Sequence, residues 1–188
     1  MPQSQTTIAA FNGKTPQIHS SAFIAPGCRI IGDVEIGPDA SIWYNCVIRA
    51  DVNRIVIGAR SNIQDGTVIH CESPKSRRPE GFPTIIGDDV LIGHMAMIHG
   101  SILEDRAFVG LGAIVMDGCR IASDAMLAAG AMLTQGKVIE TRQMWMGRPA
   151  AYARDLTEAA LEDMRAGVAG YVINGKLHAE ALSGQRGS

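Results

Sequence analysis

An aliphatic residue recurs at every sixth position along much of the chain: Ile18, Ile24, Ile30, Ile36, Ile42 and Ile48. The spacing then slips three times. It resumes at Ile57, Ile63 and Ile69, again at Ile86, Ile92 and Ile98, and finally at Leu103, continuing through Val109, Val115, Ile121, Leu127, Leu133 and Ile139 to Trp145. Four places after most of these stands a small residue, among them Cys28, Ala40, Cys46, Thr67, Ala96, Ala113, Cys119 and Ala131. A hexapeptide period predicts a parallel β-helix, in which no coil can bury its apolar face except against the next.

The pattern resembles hexapeptide-repeat proteins, which implies a left-handed, triangular coil of about 18 residues, three hexapeptides to a turn. Aliphatic residues then fill the prism and the small residues share its interior, so Cys28, Cys46 and Cys119 are core residues. Cys71, directly after His70, falls outside the inward positions. The polar, Pro-rich segment CESPKSRRPEGFPT, residues 71–84, reads as a loop protruding between coils. After Pro149 the repeat stops. Asp155 and Glu158 read as a helix cap with its acidic partner. Leu161, Met164, Val168 and Tyr171 with Val172 follow at helical spacing, with Gly167 and Gly170 weakening the helix end and SGQRGS a frayed tail. The expected class is mainly β: a left-handed parallel β-helix over 1–150 carrying the loop 71–84, then a C-terminal helix packed along it and a tail over 151–188.

Composition narrows the function. The 188 residues suit one domain, and a net charge of −2 offers no basic surface to nucleic acid. No apolar run approaches the roughly 18–20 residues of a membrane span. The first residues lack a charged region followed by an apolar one, and the four cysteines lack metal or redox spacing, so a reduced, cytoplasmic protein is expected.

Laying the hexapeptides on three faces places Arg49, His70 and His99 one after another on a single outward column, in successive coils. His70 and His99 become neighbours at about one coil spacing, near enough to share an ion. His94, only five residues before His99, belongs to another face and stacks on Asp65. Within one chain His94 cannot easily join the other two; across a threefold trimer it can. A metal held by His70 and His99 of one chain and His94 of the next leaves a fourth position open, the catalytic zinc pattern.

The motifs RAD (Arg49, Asp51), NIQDGTVIH (Asn62, Gln64, Asp65, His70) and IGHMAMIHG (His94, His99) resemble the gamma-class carbonic anhydrase family, and the likeness extends over residues 10–172. The resemblance implies a homotrimer with Zn2+, or Fe2+ or Co2+, at its interfaces, and reversible hydration of CO2 to bicarbonate by hydroxide generated on the metal. It makes His70, His94 and His99 the ligands. Gln64 would contact the metal-bound water, Asn62 would position CO2 or bicarbonate, and Tyr171 would face the site or pack. Arg49 and Asp65 would form an intersubunit ion pair, with Asp51 a structural partner. One departure concerns proton removal: Val52 stands where the family prototype has a glutamate. Two other functions remain open: a hexapeptide-repeat acyltransferase or thioesterase acting on coenzyme A esters, and a metal-binding assembly protein without turnover.

Overall fold

The computed structural model describes residues 5–184; most of the expected frayed tail, 185–188, lies outside them. The described residues form twenty strands followed by one helix. The strands stack as a parallel β-solenoid in three columns. One column runs through Arg29–Ile36, Val47–Ile57, Val68–His70, Met97–His99 and Ile114–Val115. A second runs through Val47–Ile57, Thr84–Ile86, Ile102–Leu103 and Arg120–Ile121. The third runs through Ser41–Ile42, Asn62–Ile63, Leu91–Ile92 and Phe108–Val109. Every sixth-position aliphatic from Ile30 to Ile139 points inward and is wholly or almost wholly buried, as are the small residues between them.

The three slips of period fall on the same edge of the prism, where the first column turns into the second. After Ile48 the four residues Asp51 to Arg54 stand opposite Asp33 alone, a bulge that shifts the register between Gly32 and Val34 of the preceding coil. After Ile69 the loop 71–84 emerges as a short hairpin, with Glu72 bridged to Phe82 and Lys75 to Arg78. Asn53 of the bulge donates from Nδ2 to the carbonyls of Glu72 (2.9 Å) and Glu80 (2.8 Å), tying the hairpin base to the coil beneath. The Phe82 ring returns beneath the Arg78 guanidinium, 4.0 Å from its centroid. Cys71 departs from expectation: it is 1% exposed and joins the main core, its thiol lying against the backbone of Arg49, Val52 and Asn53, and burial pushes that thiol up to about 11.

The end of the chain differs from the expected helix in two ways. Ala150–Asp155 adds an antiparallel strand to Gln143–Gly147, which keeps Asp155 out of the cap. The cap is Thr157, whose Oγ1 accepts the Ala160 N–H at 3.2 Å. The helix Glu158–Gly184 then runs unbroken through Gly167 and Gly170, burying Leu161, Met164 and Val168. Gly175 is buried against Phe23 and Ser41, where a Cβ would stand 3.5 Å from each, so close packing on the prism offsets low helix propensity. No helix among the described residues is long and apolar enough to cross a membrane.

A second edge carries a charge ladder that the period conceals. Asp39, Arg60, Asp89, Arg106, Asp124 and Arg142 occupy the same corner in successive coils, each with positive φ between 55° and 65°. Their signs alternate. Arg60 meets Asp89 through two bonds of 2.6 and 2.7 Å, and Arg106 meets Asp124 through two of 2.9 and 3.0 Å. The Arg106 guanidinium holds the Asp124 carboxyl below the usual carboxylate range. Its contribution is complete above about pH 4, the ordinary aspartate pKa, and is lost as pH falls through the depressed value. Asp124→Asn should cost about 0.5–1 kcal/mol at pH 7 and less at the lowest pH at which the protein stays folded. Urea unfolding at both pH values checks this; an equal deficit at both would rule out the ion pair as its source.

Candidate metal centre

Two polar clusters lie on different faces of the prism. The first is built on Val47–Ile57, Val68–His70 and Met97–His99, where His70 and His99 are direct register partners. Their side chains point outward because the preceding Ile69 and Ile98 point in. His70 Nδ1 lies 3.0 Å from His99 Nε2, and the ring centroids are 5.0 Å apart.

Carboxylates hold the other two ring nitrogens. Asp51 Oδ1 lies 2.9 Å from His70 Nε2, and Asp117 Oδ1 lies 2.6 Å from His99 Nδ1. Burial raises the Asp51 carboxyl, but bonds from His70 and Arg49 outweigh it and hold it below its ordinary value. An ionised carboxylate only accepts, so each outer nitrogen must donate. In neutral rings the two inner nitrogens then present lone pairs to each other, an arrangement that favours a cation between them. His70 and His99 would thus supply two imidazole nitrogens to an ion that takes nitrogen ligands.

The second cluster surrounds His94, whose side chain is 48% exposed against 18% for His70. His94 Nδ1 is 2.8 Å from Asp65 Oδ2, and Asp65 Oδ1 also accepts the Tyr44 N–H at 3.2 Å. Gln64 Oε1 accepts the His94 backbone N–H at 3.1 Å. Arg49 pairs within the chain with Asp51, while Asp65 serves His94. Asn62 is fully buried on this second face; its Nδ2 donates to Ser41 Oγ at 3.0 Å, and Oδ1 has no partner among the described residues. Tyr171 packs edge-on against Trp43, with centroids 5.4 Å apart. Burial, and then the charge of Asp65, raise the Tyr171 phenol above its ordinary value.

One chain thus gathers His70, His99, Asp51 and Arg49 at one place and His94, Asp65 and Gln64 at another. Among the described residues, no group of three or more His, Cys, Asp or Glu side chains is arranged to hold a metal ion within one chain. Two features had no signal in the period. Asp117 lies in a regular hexapeptide one coil beyond His99. His178 meets Trp43 edge-on (centroids 4.9 Å apart) and bonds the Tyr44 hydroxyl at 2.9 Å, which fastens the helix beside the second cluster.

The sequence matches bacterial transferase hexapeptide repeats over residues 15–50 and the hexapeptide repeat of succinyl-transferase over 83–107 and 100–135. Gamma carbonic anhydrase 2, mitochondrial, of Arabidopsis thaliana is 41% identical over 90% of the chain and 61% of its own length. A carbonic anhydrase of Geobacillus kaustophilus is 42% identical over 96% of the chain and 95% of its own length. The chain belongs to the gamma-class carbonic anhydrase family. It spans about three fifths of the plant family members, 61% and 60% of two of them, but nearly all of the Geobacillus one, 95%. A solved Bacillus cereus structure, described as an acetyltransferase, superposes with a TM-score of 0.89 at 38% identity, covering 95% of this chain and 99% of that one. More distant N-acyltransferases, such as one at 14% identity with a TM-score of 0.58, share the family's fold alone.

The packing of Tyr171 on Trp43 predicts that its ring matters more than its hydroxyl. Tyr171→Phe should leave the thermal midpoint within a few degrees, a change of about 0.5 kcal/mol or less. Tyr171→Ala should lower it clearly further. Calorimetry of both variants decides; equal losses would assign the hydroxyl the structural role.

Proposed function

We propose that the chain is a metal-dependent carbonic anhydrase, hydrating CO2 reversibly to bicarbonate at the interfaces of a homotrimer. The observation that carries this reading is the pair of ring nitrogens on His70 and His99, facing each other at 3.0 Å. His94 of an adjoining copy would supply the third nitrogen. Exposed apolar surface at Met95 (71%) and Leu111 (59%) beside His94, and at Met97 (38%) on the His99 strand, supports burial of both sides against other copies. Zinc is the favoured ion, with Fe2+ or Co2+ also suited to three imidazoles. Once bound, such an ion supplies Lewis acidity and lowers the pKa of coordinated water toward about 7.

The remaining roles fall to this chain's side chains. Gln64, its Oε1 occupied by the His94 amide, would turn its NH2 group toward the reacting oxygen. Asn62, with Oδ1 unpartnered, would help orient CO2 or bicarbonate. Arg49, with its side chain 44% exposed, would also reach Asp65 of the adjoining copy and set the trimer register. The four buried, free thiols fit a reducing compartment, which we assign as the cytoplasm.

Metal analysis and stopped-flow CO2 hydration test the proposal directly. One ion per interface and hydration well above buffer are expected. Bound metal without hydration would leave an assembly protein, and turnover of coenzyme A esters without metal would favour acyl transfer. Gln64→Ala should retain metal and lose activity about 100-fold, in line with removal of one hydrogen-bonding group at the reacting centre.

Complementation tests the shared site. His94→Ala and His99→Ala homotrimers should each lack metal. Random mixing of the two chains creates one complete interface in every mixed trimer, so about a quarter of wild-type occupancy should return. No recovery in trimers shown to be mixed would mean that the three histidines do not meet across an interface.

A further inference from the structure

We propose that Asp117 is a positioning residue for the metal centre, fixing the His99 imidazole as its Nδ1–H tautomer and aiming Nε2 at the position shared with His70. This role rests on the metal reading above. Three observations converge on it. First, the Asp117 Oδ1 to His99 Nδ1 distance of 2.6 Å is shorter than the corresponding contacts at His70 (2.9 Å) and His94 (2.8 Å). Second, Asp117 serves His99 alone. Asp51 divides its carboxylate between His70 and Arg49, and Asp65 divides its own between His94 and the Tyr44 amide. Among the described residues Asp117 pairs with no arginine or lysine.

Third, the backbone clears a path for this carboxylate. Gly100 adopts φ of +49°, and a Cβ there would stand 2.3 Å from Asp117 Oδ1. The Gly118 N–H donates to the Gly100 carbonyl at 2.7 Å, which seats the Asp117–Gly118 turn directly on His99–Gly100. Phe82, returning from the 71–84 hairpin, closes the far side, where a Cβ on Gly118 would meet its Cζ at 2.8 Å. The glycine after His99 and the hairpin after His70 thus shape one slot for one carboxylate.

A carboxylate on the remote nitrogen of a ligating histidine fixes its tautomer and increases its basicity, and its loss typically costs 10–100-fold in metal affinity. The geometry predicts which nitrogen carries the proton before any metal binds. In the metal-free protein, long-range 1H–15N correlation spectra at pH 8 should show His99 as the Nδ1–H tautomer. In Asp117→Ala the Nε2–H form should dominate. Chelator competition should show zinc bound 10–100-fold more weakly by Asp117→Ala, with the trimer intact by sedimentation. Asp117→Asn should fall between, because its amide oxygen still accepts Nδ1–H but carries no charge.

A wild-type His99 in the Nε2–H form, or a zinc affinity within twofold of wild type in Asp117→Ala, would overturn the proposal. If Asp117→Ala does not assemble, Asp117→Asn and the wild-type tautomer still decide it. If the wild-type trimer binds no metal at all, the proposed function fails, while the tautomer measurement judges Asp117 separately.

Discussion

The stacking of coils at a fixed strand spacing of about 4.8 Å governs almost everything else in this molecule. Each coil hydrogen-bonds to the next in register, so residues at equivalent places in successive coils are neighbours whatever their distance in sequence. His70 and His99 meet across 29 residues for this reason, as do His94 and Asp65 and the alternating aspartates and arginines of the charged edge. The same stacking leaves little freedom inside. A coil that lost an inward isoleucine could not close its backbone bonds to both neighbours without opening a void. Chemical variety is therefore confined to outward positions and corners.

Seen in that light, the three slips in the hexapeptide period mark where the repeat gives way to chemistry. All occur on one edge, immediately after Arg49, His70 and His99. The regular corner one coil beyond His99 already brings one carboxylate, Asp117, to the end of the histidine column. The residues added after Arg49 put Asp51 within reach of His70, and the hairpin after His70 shelters the column and carries Phe82 over the Asp117 turn. At His99 the coil instead tightens, and Gly100 permits the close approach of the following coil. Lengthening twice and shortening once at adjacent rungs gives one patch of an otherwise uniform surface its own shape.

How far the sequence could be read follows from the same geometry. The period alone was enough to locate the interior, which is why Cys28, Cys46 and Cys119 lie where a repeat frame puts them. It was also enough to bring His70 to His99, since register is a counting problem. Interactions that depend on corners or on packing of the final helix were not countable. Cys71 is buried where the bulge after Arg49 backs onto it, and no period specifies that bulge. Asp117 sits in an unremarkable hexapeptide and acquires its partner only because Gly100 lets the coil close in. The helix cap moved from Asp155 to Thr157 because an antiparallel strand claimed Asp155, and local cap signals carry no information about that competition. The charge ladder was in principle legible, since its residues recur at one corner, but an aliphatic period directs the eye to the wrong position in each hexapeptide.

A triangular prism cannot turn two of its faces toward one point, and this limits what a single chain can complete. His70 and His99 form a pair already organised by two carboxylates and partly withdrawn from water, whereas His94 projects from another face with nearly half its side chain exposed. An ion that needs all three imidazoles binds only the assembled form, so its binding free energy adds to assembly by mass action. The asymmetry of exposure suits that order. In the proposed assembly the preformed pair would spend little conformational freedom on capturing the ion, and the freer histidine would arrive with the neighbouring copy. Rotational symmetry would then repeat the proposed junction at each interface without further demands on the sequence. In the proposed trimer, metal, register and closure of the ring would become one linked equilibrium, with the five-residue separation of His94 and His99 keeping the two clusters on different faces of each chain.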